Sequence, residues 1–407
     1  MSESRVSEGR VQAISDWLMA QALGEVRIES VFTGFCERLE TATVPLLRGH
    51  LAVRALHPLF TSMTTTWSRG GKISVDRFGP GSDGSAQWRQ SPLFDMLESR
   101  VRTLRHNLEV AGDWSRYPLL VELRETGATD YFVLMTPFGD EVTAHERMDG
   151  IMCSWVTDRP GGFSAEHIRV LRRLQFRLAV AIKVAKREQT AANVVAAYLG
   201  ADAGARVLEG RIHRGDGDFV HVVLWYCDLR GSTELADRLP ATRFLALLDS
   251  YFECTAGAVV AYGGDVVGFV GDAVLAMFPI GDATGAVGAA RKALAAMRDA
   301  AEKMAAVNRE RSALGEPTLH SGLGLHVGRV LYGNIGIPTR IDFTVIGRAV
   351  NEVVRLEALT KDLEEPVVVS SAFAELVPLA WRSCGRHGLR GVADEIEVYA
   401  PPGDLSG

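Results

Sequence analysis

The stretch Tyr262-Gly-Gly-Asp-Val-Val-Gly-Phe-Val-Gly-Asp-Ala-Val-Leu-Ala-Met-Phe278 decides the fold class. Val266–Val270 and Ala273–Phe278 read as two short strands joined by a tight Gly271-Asp272 turn, because Gly-Asp between apolar runs favours a hairpin. Upstream, Leu235–Tyr262 is helical in pattern and broken at Pro240, and before it the apolar run Phe219–Cys227 stops at Asp228. Downstream come an Ala-rich helix over about 282–310, strands at Leu323–Leu331 and Phe343–Ile346, and a helix over Ala349–Leu363. A last strand reads at Pro366-Val-Val-Val-Ser370. Strands alternating with helices in the order βαββαββα, then a final strand, predict an α+β sheet domain.

The first 185 or so residues read differently. Helical pattern covers Val11–Leu23 and Ile28–Leu39, and a β-like stretch runs from His50 to Thr66. A Gly/Ser/Asp/Pro loop at 78–87 precedes mixed segments that include the strand-like Tyr131–Met135 and Gly150–Val156. Ser164 is placed to cap a helix in which Ile168, Leu171, Leu174, Leu178 and Ile182 recur at helical spacing. The polar tract after Lys186 continues that helix toward a linker. The expected organisation is an N-terminal domain over 1–185, a helical linker over 186–215 and a second domain over 216–402.

Composition narrows the class. With 407 residues, 47% hydrophobic and 23% charged, the chain has material for two or three cored domains. A formal net charge of -6 argues against nucleic-acid binding, which shows as basic patches. No uninterrupted apolar run reaches membrane-spanning length, and residues 1–20 lack a signal-peptide core. Cys36, Cys153, Cys227, Cys254 and Cys384 are odd in number and form no CxxC pair. That speaks against a disulfide framework or structural zinc and fits a reducing cytoplasm.

The chemistry concentrates where apolar strands stop. Asp228 ends one run and Asp272 sits at the hairpin turn, so each carboxylate is held rigidly yet open to solvent. Two such carboxylates repel unless a cation lies between them, and Mg²⁺ wants hard oxygen ligands. Gly231 and Ser232 lead into a helix whose first amides can receive a phosphate. The plainer alternative is that Asp228 caps that helix and Asp272 is only a turn residue. Asn351 and Arg355, at i and i+4, project together from one helix face. An amide beside a guanidinium suits a sugar oxygen and a charged phosphate, and equally suits a solvated helix face.

Four segments together resemble one family. Cys227-Asp-Leu-Arg-Gly-Ser-Thr233, the 262–278 stretch, His326-Val-Gly-Arg-Val-Leu-Tyr-Gly-Asn-Ile-Gly336 and Asp342-Phe-Thr-Val-Ile-Gly-Arg-Ala-Val-Asn-Glu-Val-Val-Arg355 resemble the class III adenylate/guanylate cyclase domain in order and spacing. The linker from Tyr198 to Gly217 resembles segments that precede this domain in soluble bacterial members. The resemblance implies a ferredoxin-like βαββαβ core that converts ATP to 3′,5′-cyclic AMP and pyrophosphate. It implies Mg²⁺ or Mn²⁺, two ions per active site, on Asp228, Asp272 and the Leu229 carbonyl. Asn351 falls on the family's ribose-orienting asparagine and Arg355 on its transition-state arginine. Gly231, Ser232 and Thr233 fall on the phosphate-binding turn, and Arg390 where a basic residue meets the terminal phosphates. It further implies a head-to-tail homodimer, with the aspartates from one subunit and Asn351 and Arg355 from the other.

One departure stands out. Gly268 occupies the place of the purine-reading lysine of adenylate cyclases, and Thr344 that of its usual aspartate partner. Thr344 retains one hydrogen bond for a base, whereas Gly268 offers no donor. ATP is the expected substrate with GTP as the rival; a dimeric cyclase-fold regulator without turnover is the alternative. The end of the N-terminal half is similar to GAF-type sensor domains, which implies control by an unidentified small molecule or protein. Trp67, Trp88 and Trp114 fit either a pocket or ordinary packing.

Overall fold

The computed structural model describes residues 6–82, 85–139, 149–281, 285–388 and 395–403. The chain divides into two compact units, Met1–Val194 and Val195–Gly407.

The first unit opens with helices α1 (Glu8–Gln21) and α2 (Ile28–Thr41), then strands β1 (Arg48–Arg54), β2 (Ser62–Ser68) and β3 (Lys72–Phe78). Short helices α3 (Ala86–Arg89) and α4 (Pro92–Glu98) follow, then β4 (Thr103–Asn107), α5 (Pro118–Glu125), β5 (Asp130–Pro137), β6 (Gly150–Thr157) and the long α6 (Ala165–Leu199). The six strands form an antiparallel sheet in the order β3-β2-β1-β6-β5-β4. The expected single stretch from His50 to Thr66 is two strands, because Pro58 cannot donate to a ladder. β5 is apolar on consecutive residues because both its faces are covered. Phe132 and Leu134 enter the core formed with α1, α2 and α6, and Tyr131 and Val133 enter a second core with α4 and α5. Ser164 caps α6 as expected, its hydroxyl accepting from the His167 amide. Leu171, Leu174, Leu178 and Ile182 are the buried stripe of that helix.

The second unit contains α7 (Ala201–Leu208), β7 (Gly217–Leu229), α8 (Ser232–Arg238), α9 (Ala241–Ala261), β8 (Asp265–Val270), β9 (Ala273–Pro279) and α10 (Gly285–Ala313). It continues through β10 (Ser321–Ile337), β11 (Arg340–Ile346), α11 (Arg348–Asp362), β12 (Val367–Ser370), α12 (Ser371–Ala374), β13 (Arg382–His387) and β14 (Ile396–Ala400). The sheet order is β13-β14-β12-β10-β7-β9-β8, with β11 paired to β10. Within it, β10-β7-β9-β8 is antiparallel throughout and carries the expected βαββαβ connectivity of a ferredoxin-like core. The predicted α+β class holds.

Alternation along β7 explains the layering. Val223, Trp225, Cys227 and Leu229 point into a core shared with α9 and α10, whereas Val222 and Leu224 point toward α7, β11 and α11. The helical stretch predicted over 235–262 is α8 and α9, parted at Leu239-Pro240. Among the described residues one helix, α9, is long and apolar enough to cross a membrane by length and composition, with a mean hydropathy of 1.4. Its Leu247, Tyr251, Cys254 and Val259 are buried in the core on one face of the sheet, where a soluble core helix places them. All five cysteines are free.

Candidate active site

The register of β7 against β9 assembles the site. Asp228 pairs with Ala273, so Asp272, one residue before β9 in the β8–β9 turn, arrives beside the end of β7. Gly271 in that turn has φ +64, a left-handed conformation that glycine adopts without steric cost. The two carboxyl groups lie close enough to act on each other. Burial first, then the Asp272 charge, holds the Asp228 carboxyl above the ordinary carboxylate range, and Lys361 pulls in the opposite direction.

A second acid that sequence reading passed over stands behind the first. Glu357 of α11 is buried, its Oε1 has no hydrogen-bond partner, and burial and Asp228 both push its pKa up. Lys361 and Arg230 oppose that rise. Arg230, two residues after Asp228, ties the strand end to the end of α11 through Nη2 bonds to the Thr360 and Glu365 carbonyls at 3.0 and 2.9 Å. The helix lies this close because β10 presents Gly322 opposite Asp228, where a Cβ would collide with Thr360 Oγ1 and Glu357 Oε1. Farther along, His326 Nε2 meets Glu352 Oε2 at 3.1 Å and fixes the first half of α11. The i,i+4 spacing of Glu357 and Lys361 on a helix already holding Asn351 and Arg355 is the sequence signal that points to them.

The remaining predicted positions fall in three groups. Leu229 is buried at the end of β7, and Gly231 follows with φ +70 as the residue before α8, the conformation that turns the chain from strand to helix. Ser232 and Thr233 open α8, half-buried and exposed respectively. Gly268 lies on β8 just past a bulge at Val267, and a Cβ there would meet nothing within 4 Å. Thr344 lies on β11 opposite Gly333, between Phe343 and Val345, which pack with Val267 in one apolar cluster. Asn351 is exposed and Arg355 half-exposed, on the side of α11 away from its buried residues Ala349, Val353, Leu356 and Thr360. Among the described residues neither side chain makes a hydrogen bond or ion pair, and Arg355 is not among the charges that act on Asp228. Arg390 lies outside the described residues.

Hard oxygen donors at a rigid strand end, with one carboxyl raised by burial and by its neighbour, fit a divalent cation. Among the described residues no group of three or more His, Cys, Asp or Glu side chains could hold a metal ion. Two carboxylates with the rest of the shell left to substrate oxygens and water is the usual arrangement for Mg²⁺ on phosphate substrates.

No protein-family profile matches the chain. An adenylate cyclase of Anabaena cylindrica is 35% identical over 144 residues, which are 34% of this chain and 27% of that protein. Adenylate cyclase 1 of Rhizobium meliloti is 28% identical over 182 residues, 44% of this chain and 27% of that one. The chain thus spans little more than a quarter of the length of these curated relatives. Among solved structures, the adenylyl cyclase CyaB from P. aeruginosa is 26% identical at a TM-score of 0.41, covering 46% of this chain and 96% of that one. The guanylyl cyclase Cya2 is 27% identical at a TM-score of 0.40, covering 47% and 98%. The resemblance to adenylate cyclases is borne out over 34 to 44% of the chain.

Proposed function

We propose that residues 216–402 form a nucleotidyl cyclase domain converting ATP to 3′,5′-cyclic AMP and pyrophosphate, under control of the N-terminal domain over 1–185 through the helical linker. The observation that carries this reading is the pair Asp228 and Asp272, two carboxyls set against each other at the end of β7. Asp228, Asp272 and the Leu229 carbonyl would hold Mg²⁺ or Mn²⁺, two ions per active site, supplying the positive charge that acidifies the ribose 3′-hydroxyl and steadies the triphosphate.

The reaction is an in-line displacement. The 3′-oxygen bonds to the α-phosphorus, the bond to the β-phosphate oxygen breaks, and pyrophosphate leaves as the hydroxyl proton is lost. Positioning and charge compensation are what the protein must provide. The Gly231–Thr233 turn seats phosphate oxygens, and Arg390 meets the terminal phosphates. Asn351 orients the ribose, and Arg355 offsets charge that builds during the displacement. In this reading a second copy supplies Asn351 and Arg355, which lie on the face of α11 away from its buried residues, and the active form is a head-to-tail homodimer. Five free thiols fit a cytoplasmic setting.

Base selection is the point at which a second reading has support. The open space at Gly268 leaves the base without a charged donor, and Thr344 offers a single hydrogen bond. This favours a relaxed or guanine-tolerant cyclase over a strict one, and a regulator without turnover if binding is weak enough. Product analysis of the purified chain with ATP or GTP, each with Mg²⁺ or Mn²⁺, separates the three. Mixing Asp272→Ala chains with Arg355→Ala chains tests the shared site. Random pairing makes half the dimers mixed with one intact site each, so activity should return to about a quarter of wild type. No return would overturn the dimeric site.

A further inference from the structure

The sheet of the N-terminal unit has two unlike faces. Leu51, Val53, Met63, Trp67, Phe132 and Leu134 point from one of them into the main core. Positions alternating with these carry Arg48, His50, Thr64, Thr66, Tyr131 and Ser154, and over them lies a cavity of about 560 Å³. That is an ordinary size for a small-molecule site. Its other walls come from α4, α5 and the segment around Trp88, and Leu93 there, with Met135 and Met152 on β5 and β6, gives the cavity an apolar character. Of the three tryptophans weighed from sequence, Trp88 lines this cavity, Trp67 is core, and Trp114 packs at the edge of the smaller core.

Two polar groups in the cavity are poorly satisfied. Arg48 makes no hydrogen bond or ion pair among the described residues, and burial lowers its pKa while Tyr131 and Glu122 act on it through space. Tyr131 is 0% exposed, its hydroxyl lies beside Ser154 in the cavity wall without a well-formed hydrogen bond, and burial pushes its pKa up to about 12, so it stays a neutral donor. Both belong to one row across the sheet, since Arg48 pairs with Val156 and Val156 with Tyr131. His50 adds no second cation. Burial and Arg48 lower its pKa to about 3, and its Nδ1 lies 2.9 Å from Thr66 Oγ1. Asp76 and Glu122 also line the cavity, which makes it hostile to a dianion, and Arg54 has interactions of its own. A half-buried guanidinium and a buried phenol without well-formed hydrogen bonds are costly unless an occupant satisfies them.

We propose that this cavity binds a small organic monoanion, its carboxylate taken by Arg48 and the Tyr131 hydroxyl and its flat apolar body held among Trp88, Leu93, Met135 and Met152. This gives the regulator of the proposed cyclase a place and a chemistry. The test reads binding alone, so it stands or falls separately from the catalytic reading.

Calorimetric titration of the full chain with indole-3-acetate, phenylacetate and octanoate, up to about 5 mM, probes the site with bodies of graded size. At least one should bind with one molecule per chain and at least about tenfold tighter than its neutral amide, the margin of a charge-assisted bond. Arg48→Met should weaken it by about tenfold or more and Tyr131→Phe by a few-fold, while Ala52→Phe, which fills the cavity from its floor, should abolish it. Circular dichroism identifies any variant that fails to fold, and the remaining variants then carry the comparison. Absence of binding by all three carboxylates, equal binding of the amides, tighter binding of phenyl phosphate, or indifference to all folded variants would overturn the proposal.

Discussion

Asp130 and Asp228 are both aspartates at the end of a buried strand, and they are treated in opposite ways. Asp130 opens β5 with 1% of its side chain exposed, and every approach to it is a donor. Arg105 Nη2 lies 2.7 Å from Oδ2, with Nε at 3.1 and 3.2 Å from the two oxygens, and the Phe163 amide donates at 2.9 Å. Asp228 closes β7 against another carboxyl, with a third acid, Glu357, behind it. The first arrangement locks a loop to a sheet; the second stores repulsion that only a cation or a proton relieves. A strand-end aspartate therefore declares its role through its neighbours and not through its burial.

Four measurements press on that contrast, the largest expected effect first. Asp228→Ala and Asp272→Ala should each cut cyclic-nucleotide formation by about a thousandfold or more without loss of fold, measured as product from ATP and GTP alongside circular dichroism. Activity retained in either would end the contrast. Arg105→Met should destabilise the N-terminal unit by about 2–3 kcal/mol in a urea titration, the low end for breaking a buried pair because Arg105 is half-exposed. An unchanged midpoint would make the Asp130 lock ornamental. Gly268→Lys should raise turnover of ATP by about tenfold relative to GTP, since a charged hydrogen bond is worth about 1.5–3 kcal/mol and the position has room. No change would mean that the base is read elsewhere.

The smallest effect is on stability against pH. Asp228 titrates above its ordinary value of 3.8 in the folded chain, so its contribution is complete below that value. It is lost as pH rises through the raised pKa, the reverse of a salt-bridged carboxylate. Metal-free protein should therefore melt at a slightly lower temperature at neutral pH than near pH 5, and Asp228→Asn should flatten that difference. A slope of the opposite sign would show that the pair is not held in repulsion.

Much of the second unit was legible because its strands are doubly covered and its turns carry glycine. The hairpin at Gly271-Asp272 and the end of the 219–227 run suffice to place Asp228 and Asp272 near one another once the strands pair. Among what escaped were elements with little covered face. β3 is nearly all exposed and β13 largely so, and neither shows the alternation by which strands are recognised. Glu357 and Arg230 escaped for another reason. Their environment depends on how closely α11 approaches β10, which is set by the missing side chain of Gly322 and not by any polar pattern. In the first unit, Arg48 and His50 alternate with Leu51 and Val53 as a solvated strand face would. Only the sheet order and the segment around Trp88 turn that face into the floor of a cavity.

The pairing of Asp228 with Ala273 carries one more consequence. Side chains alternate along a strand, so losing or gaining one residue within 273–279 would slide every partner of β7 by one position and send alternate residues to the wrong layer. Substitutions at these positions are graded insults to packing, whereas a change of length is a change of frame. Natural and laboratory variants of this chain should therefore differ there in spelling and never in letter count, while the exposed loop around Gly70-Gly71 accepts both.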